Sequence, residues 1–138
     1  MTSMDMHTKI NPSSGLNIQS IASDTTVNGV IIDTQNHESI EWLIFSGTIT
    51  DGTYTPTIEE SDDSGLAGAT TVSADFLLGT VANATFVAAD DNVVKRIGSV
   101  GKKRYQRLSL VSTGTSTGGT LSAIAVLGNA RHQPTAGS

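Results

Sequence analysis

Cysteine is absent from this sequence, which excludes disulfides, thiol chemistry and cysteine-ligated metal sites. Aromatics are scarce at 4%: Trp42, Phe45, Tyr54, Phe76, Phe86 and Tyr105. Carbohydrate binding needs exposed aromatic platforms, and a core would leave few of these six to spare. No apolar run approaches the roughly 18 residues that span a bilayer. Residues 1–14 lack the apolar core of a signal peptide. Basic charge is in deficit, with eight Lys and Arg against thirteen Asp and Glu and a net charge of −5. That balance argues against general nucleic-acid or anionic-membrane binding. What remains is a chain of 138 residues, enough for one domain, with 37% hydrophobic residues and fourteen glycines amid abundant Thr and Ser. Thr suits a pleated surface and Gly suits tight turns, so the composition fits an extracellular or particle-surface β protein.

The apolar pattern has period two. Leu16 and Ile18 share a face of a first strand, and residues 27–32 form a second with a bend at Asn28-Gly29. Residues 38–50 form the longest, with Ile40, Trp42, Ile44, Ser46 and Thr48 on one face and Glu41, Leu43, Phe45, Gly47 and Ile49 on the other. Large apolar side chains on both faces predict a central strand partly buried on both sides. Asp51-Gly52 signals a hairpin turn. Pro56 places the next strand, residues 53–60, at an edge or paired on one side at that point. Ser73 caps a short helical turn through Leu78, closed by Gly79. Residues 85–89, 93–100, 104–111 and 121–127 complete the series, with a Ser/Thr/Gly loop over 113–119. The sum is an all-β, jelly-roll-like β-sandwich of about seven or eight strands with one short helix, over residues 15–130. An N-terminal arm (1–14) and a C-terminal tail (131–138) flank it.

No reaction centre is legible. His7, His37 and His132 have no second ligand at metal spacing, and no G-x-S-x-G elbow holds a nucleophile. Asp62-Asp63 and Asp90-Asp91 point to opposite faces of a strand and cannot flank one bond. Gly98-Ser99-Val100-Gly101 precedes a strand rather than a helix, so no phosphate loop or other cofactor motif is present. The 59–65 loop, Glu59-Glu60-Ser61-Asp62-Asp63-Ser64-Gly65, is either a structural turn or a weak calcium-type site. Charges are segregated: Lys95, Arg96, Lys102, Lys103, Arg104 and Arg107 are six of the eight basic residues. Either these meet complementary patches on neighbouring subunits, or they face solvent and pair within the sandwich.

Glu38-Ser39-Ile40-Glu41 followed by Gly47-Thr48-Ile49-Thr50-Asp51-Gly52-Thr53-Tyr54-Thr55-Pro56 resembles a strand–turn–strand of small tailed-phage virion proteins. The 59–65 loop, Leu77-Leu78-Gly79-Thr80, the run from Val94 to Tyr105 and the close Ala125-Val126-Leu127-Gly128-Asn129-Ala130-Arg131-His132-Gln133-Pro134 resemble the same group. The resemblance covers roughly residues 25–134. It implies a jelly-roll sandwich and the role of a capsid decoration (cement) protein or another minor head component on the virion surface. On this reading the chain is a non-enzymatic virion protein without cofactor that contacts the major capsid protein and its own copies; closed symmetry suggests a trimer or a dimer, and the charge balance argues against nucleic acid and membrane. A glycan- or host-surface-binding module of a tail or fibre is the alternative. One departure stands out: relatives carry an apolar residue at the position of Gln106, which predicts an edge or an intersubunit hydrogen bond there. The contact residues expected on this reading are Met4, Met6 and Ile10 of the arm, with Lys102, Lys103, Arg104 and Arg107.

Overall fold

The structure is a computed structural model that describes residues 6, 7 and 9–130. Met4 and the expected C-terminal tail lie outside the described residues. Ten strands form among them: β1 (Ile10–Ile21), β2 (Thr26–Asn28), β3 (Ile32–Asp33), β4 (His37–Ile49), β5 (Thr53–Ser61), β6 (Thr70–Thr71), β7 (Leu77–Leu78), β8 (Val94–Ser99), β9 (Tyr105–Thr113) and β10 (Gly119–Ala130). Sheet one runs β1-β10-β4-β8-β7, and sheet two runs β2-β9-β5-β6 with β3 also paired to β9. The antiparallel pairs nest: β5 with β6, β4 with β8, β2 and β3 with β9, β1 with β10. A long hairpin rolled up in this way is the jelly roll, and β7 is an added edge strand. The strand count exceeds the expected seven or eight because β2, β3, β6 and β7 are only two or three residues long.

Alternation delivers the core. Ile40, Trp42 and Ile44 of β4 face Tyr54 and Ile58 of β5 and Leu108 and Leu110 of β9 within one buried cluster that also holds Leu16, Phe86, Ile97 and Leu121. Pro56 pairs with β9 at Leu110, whereas β6 touches β5 only at Glu59 and Glu60, so the missing N–H costs no ladder bond.

Several local expectations are corrected. Asp51-Gly52 is a turn, with Gly52 at φ 95°, but it carries the chain from sheet one to sheet two and closes no hairpin. β4 has a bulge where Gly119 pairs with Ile49 and Leu121 with Ser46; the phase flips, Thr48 is exposed and Ile49 enters the core. β1 carries two register shifts around Leu16, so Leu16 is buried and Ile18 is not. Residues 10–14, expected in the arm, are the first part of β1, where Pro12 is tolerated because β1 is an edge. The expected helix shrinks to a 3₁₀ turn, Ala74–Phe76, whose Asp75 amide is accepted by Ser73 Oγ at 3.4 Å. The 85–89 strand reduces to one bridge between Tyr54 and Phe86.

Between β2 and β3 the chain crosses the open side of the sandwich. The Gly29 amide donates to Leu108 O of sheet two and the Val30 amide to Gly15 O of sheet one, both at 2.8 Å. A Cβ on Gly29 would stand 2.3 Å from Gly15 O and 2.4 Å from Leu108 O, so only glycine fits this seam.

Candidate docking face

Every second residue of the sheet-one strands points away from the core. On β4 these are Glu41, Leu43 and Phe45; opposite them stand Val126, Ile124 and Ser122 on β10, and Gly98, Arg96 and Val94 on β8. Ile18 joins this face through the β1 bulge, which sets it beside Phe45 and Ile124, and Leu78 of β7 closes the other side. Relative exposures are 73% for Ile18, 65% for Val94, 46% for Leu78, 39% for Ile124 and 36% for Phe45. Five of the nine large apolar side chains exposed among the described residues therefore share one sheet face. Two open hollows mark it, one of about 620 Å³ at Ile18, Phe45 and Ile124, the other of about 550 Å³ at Leu43, Leu78 and Val94. Burial pushes the Glu41 carboxyl above the usual carboxylate range, and Arg96 offsets part of that. Glu41 and Arg96 interrupt these apolar side chains; covering each large apolar one would contribute up to about 1.5–3 kcal/mol before association costs.

Of the expected contact residues, Ile10 shares the outward register of this face, and the basic ones fall elsewhere. Met6 is exposed, and Ile10 opens β1 opposite Gly128. Lys102, Lys103 and Arg104 come together at the end of the sandwich where β1 begins and β10 ends, lining a polar cleft of about 320 Å³ with His37 and Asp62. Arg104 is engaged within the chain: it bonds Asp33 through two nitrogens at 2.8 and 2.7 Å and Gln35 Oε1 at 2.8 Å. This hydrogen bonding holds the Asp33 carboxyl below its usual range and raises the Arg104 guanidinium. Lys102 Nζ sits 4.6 Å over the Phe76 ring, and the Lys103 amide donates to Glu60 Oε2 at 3.3 Å. Arg107 is apart from them on the outer face of sheet two, bonded to Glu59 of the neighbouring strand at 3.1 Å. Of the two readings of the segregated charge, pairing within the sandwich describes Arg104 and Arg107.

The 59–65 loop is built around Asp63, whose carboxylate accepts the Gly65 and Ala67 amides at 2.8 and 3.2 Å, while Ser61 Oγ donates to Ala67 O. No group of three or more His, Asp or Glu able to hold a metal ion occurs among the described residues. At the opposite end of the sandwich, Asp51 accepts the Ser116 hydroxyl and the Ser116, Thr117 and Gly118 amides. These donors hold its carboxyl far below the usual range and pin the Ser/Thr/Gly loop. Gln106 lies at no edge: it is 2% exposed on β9, between β3 and β5.

Sequence reading did not assemble the sheet-one face. Its signal was the doubly apolar β4, together with Ile124 and Val126 alternating out of β10; β4 is central and partly buried on its outer side as expected, with Glu41 and Leu43 half-buried and Phe45 exposed.

No family model matches the sequence, and no curated protein matches it. A chain in the structure of infectious bursal disease virus, Gx strain, is similar in three dimensions at 16% identity and a TM-score of 0.44. The similarity covers 88% of this chain and 32% of that one, so this chain spans about a third of its length.

Proposed function

We propose that this chain is a capsid decoration (cement) protein of a tailed bacteriophage, binding the outer face of the major capsid lattice and bridging its subunits without catalysing a reaction. The observation that carries the proposal is the open apolar face of sheet one, set on a rigid jelly roll whose strongest charge pairs close within the chain. Sequence resemblance to small tailed-phage virion proteins over residues 25–134 supports the same role. Many symmetric weak contacts add through avidity, and closed symmetry favours a homotrimer at a lattice axis, with a dimer as the next choice. A glycan-binding module would gather two or more aromatics on an exposed face; of the six, Phe45 alone is exposed, and Trp42, Tyr54 and Phe86 are fully buried.

The test is decoration of undecorated heads by purified protein, read by co-sedimentation and cryo-electron microscopy. Wild type is expected to add regular density to the lattice. The Phe45→Asp/Ile124→Asp double variant, folded by circular dichroism, is expected to bind about a hundredfold more weakly, the equivalent of about 2.7 kcal/mol lost from two contacts. Absence of wild-type density would overturn the decoration role; full occupancy by the double variant would overturn the assignment of the face.

A further inference from the structure

We infer that a single ordered water molecule is bound between His37, Ser99 and Gln106, inside the end of the sandwich from which β1 and β10 emerge. A chamber of about 20 Å³ lies there, with Thr34, Glu38, Ser39, Ile40 and Gly101 also on its wall. That is enough for one water, which needs roughly 10–15 Å³ of probe-occupied space. Two of its lining side chains carry buried atoms without a partner, His37 Nε2 and Gln106 Oε1.

The chemistry of these atoms is complementary to water. His37 Nδ1 lies 3.2 Å from Gln35 O. A carbonyl can only accept, so Nδ1 carries the proton, and in the neutral ring Nε2 is then a bare acceptor. Gln106 turns its amide nitrogen toward Lys103 O at 3.5 Å, which leaves Oε1 as a second bare acceptor. The Ser99 hydroxyl is fully buried and accepts the Gly101 amide at 3.0 Å, yet its own proton has no acceptor among the described residues. Water answers all three: two O–H bonds reach the two acceptors, and a lone pair receives the Ser99 proton. Three hydrogen bonds is the usual complement of a buried water. The bound water joins β4 and β8 of sheet one to β9 of sheet two and forms the floor beneath the basic loop 100–104. It also gives a physical reason for a polar residue at 106, since an apolar side chain there would strand the histidine and serine groups.

Oxygen-17 relaxation dispersion on the full chain counts long-lived waters, and water-to-amide Overhauser transfer at Gly101 locates one. Wild type is expected to show a long-lived water at Gly101. Gln106→Leu is expected to lose it. Ser99→Ala is expected to keep it with exchange about five- to tenfold faster, the loss of one net hydrogen bond. A folded wild type without such a water would overturn the inference, as would a folded Gln106→Leu variant that retains it. Where Gln106→Leu does not fold, Ser99→Ala decides: unchanged exchange would overturn the three-contact site.

Discussion

The two outer faces of this sandwich are made by the same alternation and have opposite chemistry. Sheet two turns out Thr53, Thr55, Thr57 and Glu59 from β5 against Thr113, Val111, Ser109 and Arg107 from β9. Several of its polar groups pair across the ladder: an Arg107 terminal nitrogen bonds Glu59 at 3.1 Å, though Arg107 Nε has no partner, and Ser109 Oγ donates to Asn28 Oδ1 at 3.0 Å. Sheet one turns out Leu43, Phe45, Val94, Ile124 and Val126, of which Phe45, Val94 and Ile124 are exposed and the other two half-buried among the described residues. A face whose side chains satisfy one another is finished in water, whereas an apolar face gains free energy when covered. Period two decides which residues leave the core; the residue types on the outgoing positions decide whether the outer face is polar and paired or apolar and exposed.

The largest expected effect tests whether the two faces belong to one rigid body. Gly29→Ala places a methyl against two backbone oxygens, one from each sheet, and neither can retreat without breaking a hydrogen bond. Chemical denaturation is expected to show a loss of about 3 kcal/mol or more. A loss under about 1 kcal/mol would mean that the seam yields and the sheets are less tightly joined than their hydrogen bonds imply.

The next effect probes the finished face. Arg107→Ala removes the guanidinium from a half-buried pair, which leaves Glu59 without its cross-strand partner. The expected cost is about 1 kcal/mol, since solvent still reaches both side chains. A double-mutant cycle with Glu59→Ala isolates the pair, with a coupling of about 0.5–1 kcal/mol expected. Zero coupling would reduce the contrast between the faces to composition alone.

The sequence carried the architecture further than the surface. Trp42 and its β4 neighbours, Pro56 on a strand paired at one side, and the turn at Asp51-Gly52 could be read because each depends on local chemistry. What local chemistry omits is the partner. An Asp-Gly turn marks where the chain reverses, not whether the next strand joins the same sheet. Bulges shift the phase without changing composition, so Leu16 and Ile18 appeared equivalent until the register around them was known. Asn11-Pro12-Ser13-Ser14-Gly15 has the composition of a turn, yet an edge strand accepts it because half of its amides need no partner. Arg104 and Arg107 could be seen as charges, but Asp33 and Glu59 lie 71 and 48 residues away in sequence, and only the fold brings them together. For the outer face of sheet one, the doubly apolar β4 was visible; that Ile18, Leu78, Val94 and Ile124 gather around it in an exposed group was not.

The smallest effect separates the faces by their response to charge. On sheet one, burial raises the Glu41 carboxyl above its ordinary value. An acid whose folded pKa is raised binds its proton more tightly when folded, so its ionisation works against folding. That penalty is fully present above the folded pKa and vanishes below the unfolded one, near 4.5. Glu41→Gln removes the ionisation and is expected to be more stable than wild type at neutral pH, by less than about 0.5 kcal/mol because solvent screens this half-exposed group. The gap is expected to close as pH falls through the region of the raised pKa toward 4.5. Asp33, beside sheet two, has the opposite sign: Arg104 holds its pKa down, so its contribution is present above the unfolded value of 3.8 and is lost as pH falls through the folded one. Asp33→Asn is therefore expected to lower stability at neutral pH and to converge with wild type in acid. If both variants moved stability in the same direction at neutral pH, the two sides of the sandwich would not differ in how they receive a negative charge.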